Sequence, residues 1–470
     1  MRGLSPIASA ESHRVRRWDA VILGGALPGL VAAVRIARGG HRVLLLEEKR
    51  AREGPGILRE PFLLTGAGPE EVMGSCLRAL GVPLIDQRRF GTCETALQVA
   101  LPNARVDVGR AASTIDELVA WGLAKPEPAR QLLLALAEAG EAEQGAMLQS
   151  PFVRVARRIP RPGRRSAASP GPGGGARGLP EIAKTPTGDL RRLLDAVVRA
   201  LSNHGGTPPS DSARARLLGS VLHGGVTLAG GDDGLRAVLR RRFDALHGES
   251  RSVGGPLRFV SVANQPGIAL PHSDEIWAGR VLVFNAPRAA LAAAAIGEPP
   301  DLLRAPAPSH ARAVVHLRGD RRVLPQAMAG RVVRVEDPEA QGDGPDVVCL
   351  RVHRGGAGAE NVDILASAVV AASDARAPET ADAIERAARA VLPFSEGRLV
   401  RQPVAQAEWD VDDLLVDPRR GVGWPAEGDV RLSSRPSVFC LERGDVAGLG
   451  LEGDLLLGWR AGDAIAADLT

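Results

Sequence analysis

The apolar positions of the chain fall into short runs divided by glycine, proline and charge, and the most ordered pattern lies near the N-terminus. The run DAVIL at 19–23 reads as a buried strand, apolar from Ala20 onward and too short for a helix. A glycine-rich turn follows at Gly24, Gly25, Ala26, Leu27, Pro28 and Gly29. Small and apolar residues at 30–38 predict a helix that Gly39-Gly40 ends. Residues 42–46 predict a second strand, which runs into Glu47, Glu48 and Lys49. The stretch is one βαβ unit.

Downstream, helical and extended patterns alternate. A helix is expected over about 69–80, then two short strands within 95–108 joined through Pro102-Asn103, a hairpin by its turn chemistry. Two helices follow, the first capped by Ser113 or Thr114 and the second in PARQLLLALAEAGEAEQGAM. Further helices are expected at 187–201 and from near Asp233, after Gly230-Gly231. Extended segments at 258–263, 268–270 and 280–284 come next, with a turn at Gln265-Pro266-Gly267. A second β-rich block covers 313–317, 331–336, 347–352 and 364–371, and a helix spans 379–391. The last elements are a strand at 438–441, a glycine-rich loop holding Gly444-Asp445, and a helix from about 453 to 469.

Composition narrows the classes. A chain of 470 residues is too long for one core and implies two or three domains. It contains no tyrosine, which removes that side chain as a catalytic acid. Seven arginines, at 154, 157, 158, 161, 164, 165 and 177, share one stretch without an acid. Without them the net charge of +4 becomes −3, so the basicity is local and argues against a nucleic-acid surface. That Arg/Pro/Gly-rich stretch, about 155–180, reads as a flexible loop, a solvated linker ahead of a patch for anionic lipid. Cys76, Cys93, Cys349 and Cys440 are scattered, without CxxC or metal-ligand spacing, and read as thiols of a reducing compartment; no metal is expected. The first 17 residues lack the apolar core of a signal peptide, and no window reaches the ~18 apolar residues of a spanning helix. A cytoplasmic protein is expected, with peripheral membrane contact left open and the oligomeric state undetermined.

The chemistry enters with the first unit. A strand, a glycine turn, a helix and a terminal acid form the arrangement that cradles a dinucleotide. The turn admits a pyrophosphate to the backbone, and the helix N-terminus favours its charge. Glu47, 23 residues after Gly24, stands where a carboxylate accepts hydrogen bonds from ribose hydroxyls. Ala26 replaces the middle glycine of GxGxxG and puts a methyl at the point of closest approach.

With these residues in view, the chain resembles the flavin amine oxidase and phytoene desaturase superfamily. Four islands carry the likeness: GGALPGLVAAVRIARGGHRVLLLEE, GGDDGLRAVL, the meander RFVSVANQPGIALPHSDEIWAGRVLVFNAP, and ERGDVAGLGLEGDLLLGWRAGDAIAADL. The resemblance implies FAD, bound by the first turn, Glu47, Glu48 and Lys49, by Val260 in the meander, and by Arg52 in a remnant of the family's RxGG. At the other end, Gly444 and Asp445 would meet the ribityl-phosphate region, and Gly453, Asp454 and Leu455 would open the helix facing the flavin's pyrimidine edge. It also implies an α/β (mixed α+β) fold with a Rossmann-like three-layer FAD domain from 18–94, 214–312 and 396–470. An antiparallel-sheet-plus-helices substrate domain, 95–213 and 313–395, would be inserted in it.

The departures choose among branches. Amine-oxidising members keep a central lysine near the flavin and a tyrosine-lined cage, whereas this chain has no lysine beyond Lys184 and no tyrosine. A phytoene-desaturase-like oxidoreductase acting on a small apolar, isoprenoid or polyene, substrate is therefore expected, because the cofactor itself accepts the hydride. The alternatives are a lipid or prenyl carrier on the same fold without flavin, and a flavin isomerase or mutase. His223 and His272, near glycine-rich or meander segments, are acid/base candidates and Trp459 a candidate flavin neighbour, but no catalytic acid or base is assigned.

Overall fold

The computed structural model describes Ser5–Pro6 and residues 14–49, 59–149, 178–205, 209–228, 234–270, 274–305, 307–336, 344, 346–354, 360–404, 407–411 and 430–470. Arg52, Gly230-Gly231, Asp232-Asp233, His272 and most of the arginine-rich stretch lie outside them, as does the side chain of Asp445.

The first sheet is built on strands Arg14–Leu23, Val43–Glu48, Glu249–Val253 and Glu275–Phe284, which run parallel, with Ser437–Cys440 parallel to the end of Glu275–Phe284. Its central strands are apolar on both faces because both are covered: Ile22 and Leu45 face one core, Val21, Leu44 and Leu46 the other. The helix Leu27–Arg38 lies on the first face, and the closing helix Gly450–Leu469 packs on that helix. At Gly458 a β-carbon would come within 2.7 Å of the Val31 side chain, so the missing side chain sets this close crossing. The crossing sets Gly458, two turns into the closing helix, against the Pro28 carbonyl of the glycine turn.

The meander differs from expectation in its turn. Gln265, Pro266 and Gly267 belong to the strand Gln265–Ala269, and the reversal is made by Ala263 and Asn264, at φ +48° and +62°. Two consecutive left-handed residues make the tight turn whose twist suits a two-residue hairpin. The helix expected to be capped by Ser113 or Thr114 begins earlier, at Ala111. Thr114 lies inside it and exchanges hydrogen bonds with the Gly109 backbone at 2.9 and 3.1 Å.

The second sheet has the order Leu399–Gln402, His310–Asp320, Asn361–Ala371, Val347–His353, Arg331–Val335, Thr95–Ala100, Arg105–Gly109. Only Arg331–Val335 and Thr95–Ala100 pair in parallel. Helices Pro126–Gln149, Gly188–Leu201 and Asp211–Leu222 share a core with one face, and Pro378–Ala390 covers the other. Because Leu399–Gln402 pairs with His310–Asp320, the chain returns to the first sheet after residue 402 rather than at 396. The fold is thus mixed α/β, a Rossmann-like layer structure beside a separate sheet-rich unit. Among the described residues no helix is long and apolar enough to cross a membrane, and no group of three or more His, Cys, Asp or Glu could hold a metal.

Candidate functional site

Ligands of open α/β sheets sit beyond the carboxyl ends of the strands, and here that edge holds a dense polar cluster. Strand Arg14–Leu23 ends at Gly24, whose φ is +103°. A β-carbon there would stand 2.7 Å from the Ala286 nitrogen, so both the backbone and the space exclude a side chain. Asn285, directly after the neighbouring strand, donates from Nδ2 to the carbonyls of Gly24 and Ala26 at 2.8 and 2.9 Å, fixing the turn from below. Ala26, Leu27, Pro28 and Gly29 are buried, and Pro28 brings no N–H to the helix start.

The N–H of Gly25 donates to Asp410 Oδ1 at 2.8 Å. Arg59 donates to the same carboxylate from both terminal nitrogens, at 2.9 and 3.1 Å, and the Glu48 N–H adds a bond of 3.3 Å. Asp410 is fully buried. Burial pushes its pKa up, but the Arg59 charge and the hydrogen bonds from Arg59 and Gly25 outweigh that and hold it below the ordinary 3.8. The segment bearing Asp410 is anchored by Glu48, whose carboxylate accepts the N–H groups of Glu408, Trp409 and Asp410 at 2.8 to 3.0 Å. The Trp409 side chain is buried in the core that holds Leu44, Leu46 and Val253.

Glu47 faces cations instead of solvent. Its Oε1 lies 3.2 Å from Arg59 and 4.0 Å from Arg236, and it pairs with Arg240. Arg236 also donates to the Gly25 carbonyl, and burial followed by the Arg59 charge lowers its pKa to about 9.

From this edge a cleft enclosing about 1100 Å³, its open mouth included, runs between the two sheets. The closing helix supplies Glu452 and Asp454. Asp454 is held by Arg443 at 2.6 to 3.0 Å, and Glu452 by Arg216 and by Gln144 at 3.2 Å. Burial pushes both carboxyls up, against the pull of these arginines. The opposite wall is the second sheet, through Arg312, Val314, Cys349, Arg351, Leu365 and Ser367. Phe62, Leu63, Leu201, Leu217 and Leu451 add apolar surface, set among the polar groups of Thr65, Asn203 and Ser220.

The sequence candidates divide accordingly. The glycine turn, Glu47 and Glu48 meet at one strand edge, and Leu27 and Asp454 line the cleft. Lys49 is exposed, its backbone N–H bonded to the Val253 carbonyl at 2.7 Å. Val260 does not reach this site: it packs with Val262, Ala269 and Ile276 in the meander, because its strand lies beyond Glu275–Phe284 from the βαβ unit. Val253, in register with Glu48, holds the position at the strand edge. Gly444 and Asp445 lie in the 3-10 turn Arg443–Leu449, while Gly453 and Leu455 are buried in the closing helix rather than lining the cleft. His223 pairs with Glu141 at 3.6 Å, and Trp459 stacks under Arg460 at 4.4 Å; neither lines the cleft. Sequence reading missed Arg59, Arg236, Arg240, Asn285 and Asp410. Arg236 and Asn285 sit inside two of the four islands, but nothing local marks Asp410, 385 residues from Gly25.

No family model matches the sequence, and no curated protein matches it. Solved structures do resemble it in fold. An oxidoreductase from Methanosarcina mazei superposes with a TM-score of 0.55 at 14% identity, over 95% of this chain and 99% of that one. Wild-type putrescine oxidase bound to putrescine gives 0.52 at 13%, over 97% and 100%. Cyclohexylamine oxidase from Brevibacterium oxydans gives 0.50 at 15%, over 96% and 99%. At such identities the likeness is one of architecture, and the chain has the fold of the flavin amine oxidases.

Proposed function

We propose that the chain is an FAD-dependent oxidoreductase that takes hydride from a largely apolar substrate held between the two sheets. One observation carries the reading: the Gly25 N–H and the Arg59 guanidinium, at the start of a dinucleotide-type helix, already gather a carboxylate. A donor set that holds an anion there suits a pyrophosphate, with Asp410 standing in for it. Gly25, Arg59 and the helix start would hold the diphosphate, Glu47 the ribose, and the Arg443–Asp454 end the flavin side. The bound flavin supplies the hydride acceptor. The chain's own residues orient the substrate and exclude water. The described cleft-lining residues include no histidine, lysine or tyrosine, and Glu452 and Asp454 are both engaged by arginine.

The same lining bears on the branch. Four of its six arginines are paired with acids, and the second-sheet wall adds Arg312 and Arg351 with no acid among its described lining residues, so an ammonium substrate would meet guanidinium there. This favours the desaturase-like branch, with an isoprenoid or polyene body, over amine oxidation. We assign the first sheet to the FAD domain and the second to the substrate domain, in a cytoplasmic protein without a nucleic-acid partner. The test is the visible spectrum of the purified chain, alone and after incubation with FAD. Flavin bands that bleach on reduction are expected, and a colourless protein that takes up no FAD overturns the reading.

The self-filled cradle also favours a second reading, a lipid carrier on the same fold. Stoichiometric lipid without flavin, found by mass spectrometry of the purified protein, would establish that one instead.

A further inference from the structure

Resting on the oxidoreductase reading above, we infer that the substrate carries a carboxylate on its apolar body and that Arg312 receives it. The two walls of the cleft differ in charge balance. On the cofactor side every lining arginine faces an acid: Arg59 meets Asp410 and Glu47, Arg236 meets Glu47, Arg216 meets Glu452, and Arg443 meets Asp454. The wall made by the second sheet brings arginine and no acid among its described lining residues.

Of its two arginines, Arg351 is committed to the chain, donating to the carbonyls of Glu60 and Pro61. Arg312 is not held in this way. Its one backbone bond is a long one, 3.4 Å to the Ser202 carbonyl, and its other described partner is the Cys349 thiol. Burial pushes that thiol's pKa up, so it offers no negative charge. The Ser367 hydroxyl is on the adjacent strand, where Ser367 pairs with Val314 and Val369 with Arg312. It and the Asn203 amide line the same cleft. A guanidinium, a hydroxyl and an amide thus join Val314, Leu365 and Ala200 in its wall.

A wholly hydrocarbon substrate would cover this guanidinium and leave it without a counter-charge, which is unfavourable. A carboxylate satisfies it, with the two-pronged geometry that arginine offers and lysine does not. The hydroxyl and amide supply further donors. The apolar side chains of the cleft, Phe62, Leu63, Leu217 and Leu365 among them, then take the body of the molecule.

The test uses matched probes on the full chain, octanoate against octanamide, which share the apolar body and differ in charge. Binding is followed by calorimetry, with and without FAD, and by perturbation of the flavin spectrum where flavin is bound. Octanoate is expected to bind at least ~10-fold more tightly than octanamide. Arg312→Met should abolish that preference by weakening octanoate far more than octanamide, and Arg312→Lys should restore part of it. Circular dichroism and melting of both variants check that they fold. Equal binding of acid and amide, no binding of either, or a preference that survives Arg312→Met in a folded protein overturns the assignment. Because calorimetry without FAD reads the acid preference by itself, failure of the flavin reading shows separately, as absent flavin bands.

Discussion

Asp410→Ala is expected to bind FAD at least ~10-fold more tightly than the wild type, about 1.4 kcal/mol, although the protein without FAD is less stable. Both effects come from one carboxylate. Asp410 occupies the Gly25 N–H and both terminal nitrogens of Arg59, the donors a diphosphate would use, so cofactor and side chain compete for them. Removing the carboxylate ends the competition. It also leaves the part-buried Arg59 and the buried Arg236 with one fewer counter-charge, and breaking a buried pair from one side costs up to about 3–5 kcal/mol. Asp410→Asn should fall between, since its amide oxygen still accepts from Gly25 while the charge facing Arg59 is gone. Quenching of flavin fluorescence on titration reads the gain in affinity, and denaturant unfolding reads the loss of stability. Weaker FAD binding by Asp410→Ala would mean that the carboxylate shapes the cradle instead of competing for it.

The pH dependence of this contact has a definite sign. Asp410 is held below its ordinary 3.8 in the folded chain, so the folded state binds its proton less readily than the unfolded one. The stability it contributes is fully present above 3.8 and is lost as pH falls through the lower folded value. The competition with FAD is therefore expected to stay constant from about pH 5 to pH 8 as far as this group is concerned. Fluorescence titrations across that range check it, with Asp410→Ala as the reference for all other titrating groups.

Local periodicity made the scaffold legible, and the site far less so. The strand, turn, helix and strand of the first unit are adjacent in sequence, and each announces itself by its own composition. The meander turn was misplaced because Gln-Pro-Gly is stronger turn chemistry than Ala-Asn. Pro266 pairs only with Ser261, because pairing with Glu275–Phe284 begins at Gly267, so proline fits at this strand start and the reversal passes to Ala263-Asn264. Val260 was chosen for its place in a motif, but the strand order puts it outside the site and Val253 at the level of Glu48. Ala26 looked like the weak point of the cradle. The Ala26 carbonyl is tied down by Asn285, and the feature that decides what the cradle can accept is Asp410, carried in from another part of the chain. Such a contact has no period and no spacing, and only the folded chain reveals it.

A comparable loss of stability is expected where the two units meet, at Arg216 and Glu452. Both side chains are 1% exposed, and their ion pair joins the helix Asp211–Leu222 to the first turn of the closing helix. Arg216 donates further to the Leu449 carbonyl at 2.7 Å, and Glu452 accepts from Gln144 at 3.2 Å, so each charge is embedded in additional hydrogen bonds. Burial raises the Glu452 pKa even against the Arg216 charge, which indicates how costly the bare carboxylate would be here. Glu452→Ala leaves a buried guanidinium, and Arg216→Ala a buried carboxylate; each should cost about 3–5 kcal/mol. Arg216→Met with Glu452→Leu removes both charges and fills most of the volume, so the double variant should recover most of that loss. Chemical denaturation of the two single variants and the double variant decides the matter. Additive losses in the double variant would show that the residues act through their other partners, and not through each other.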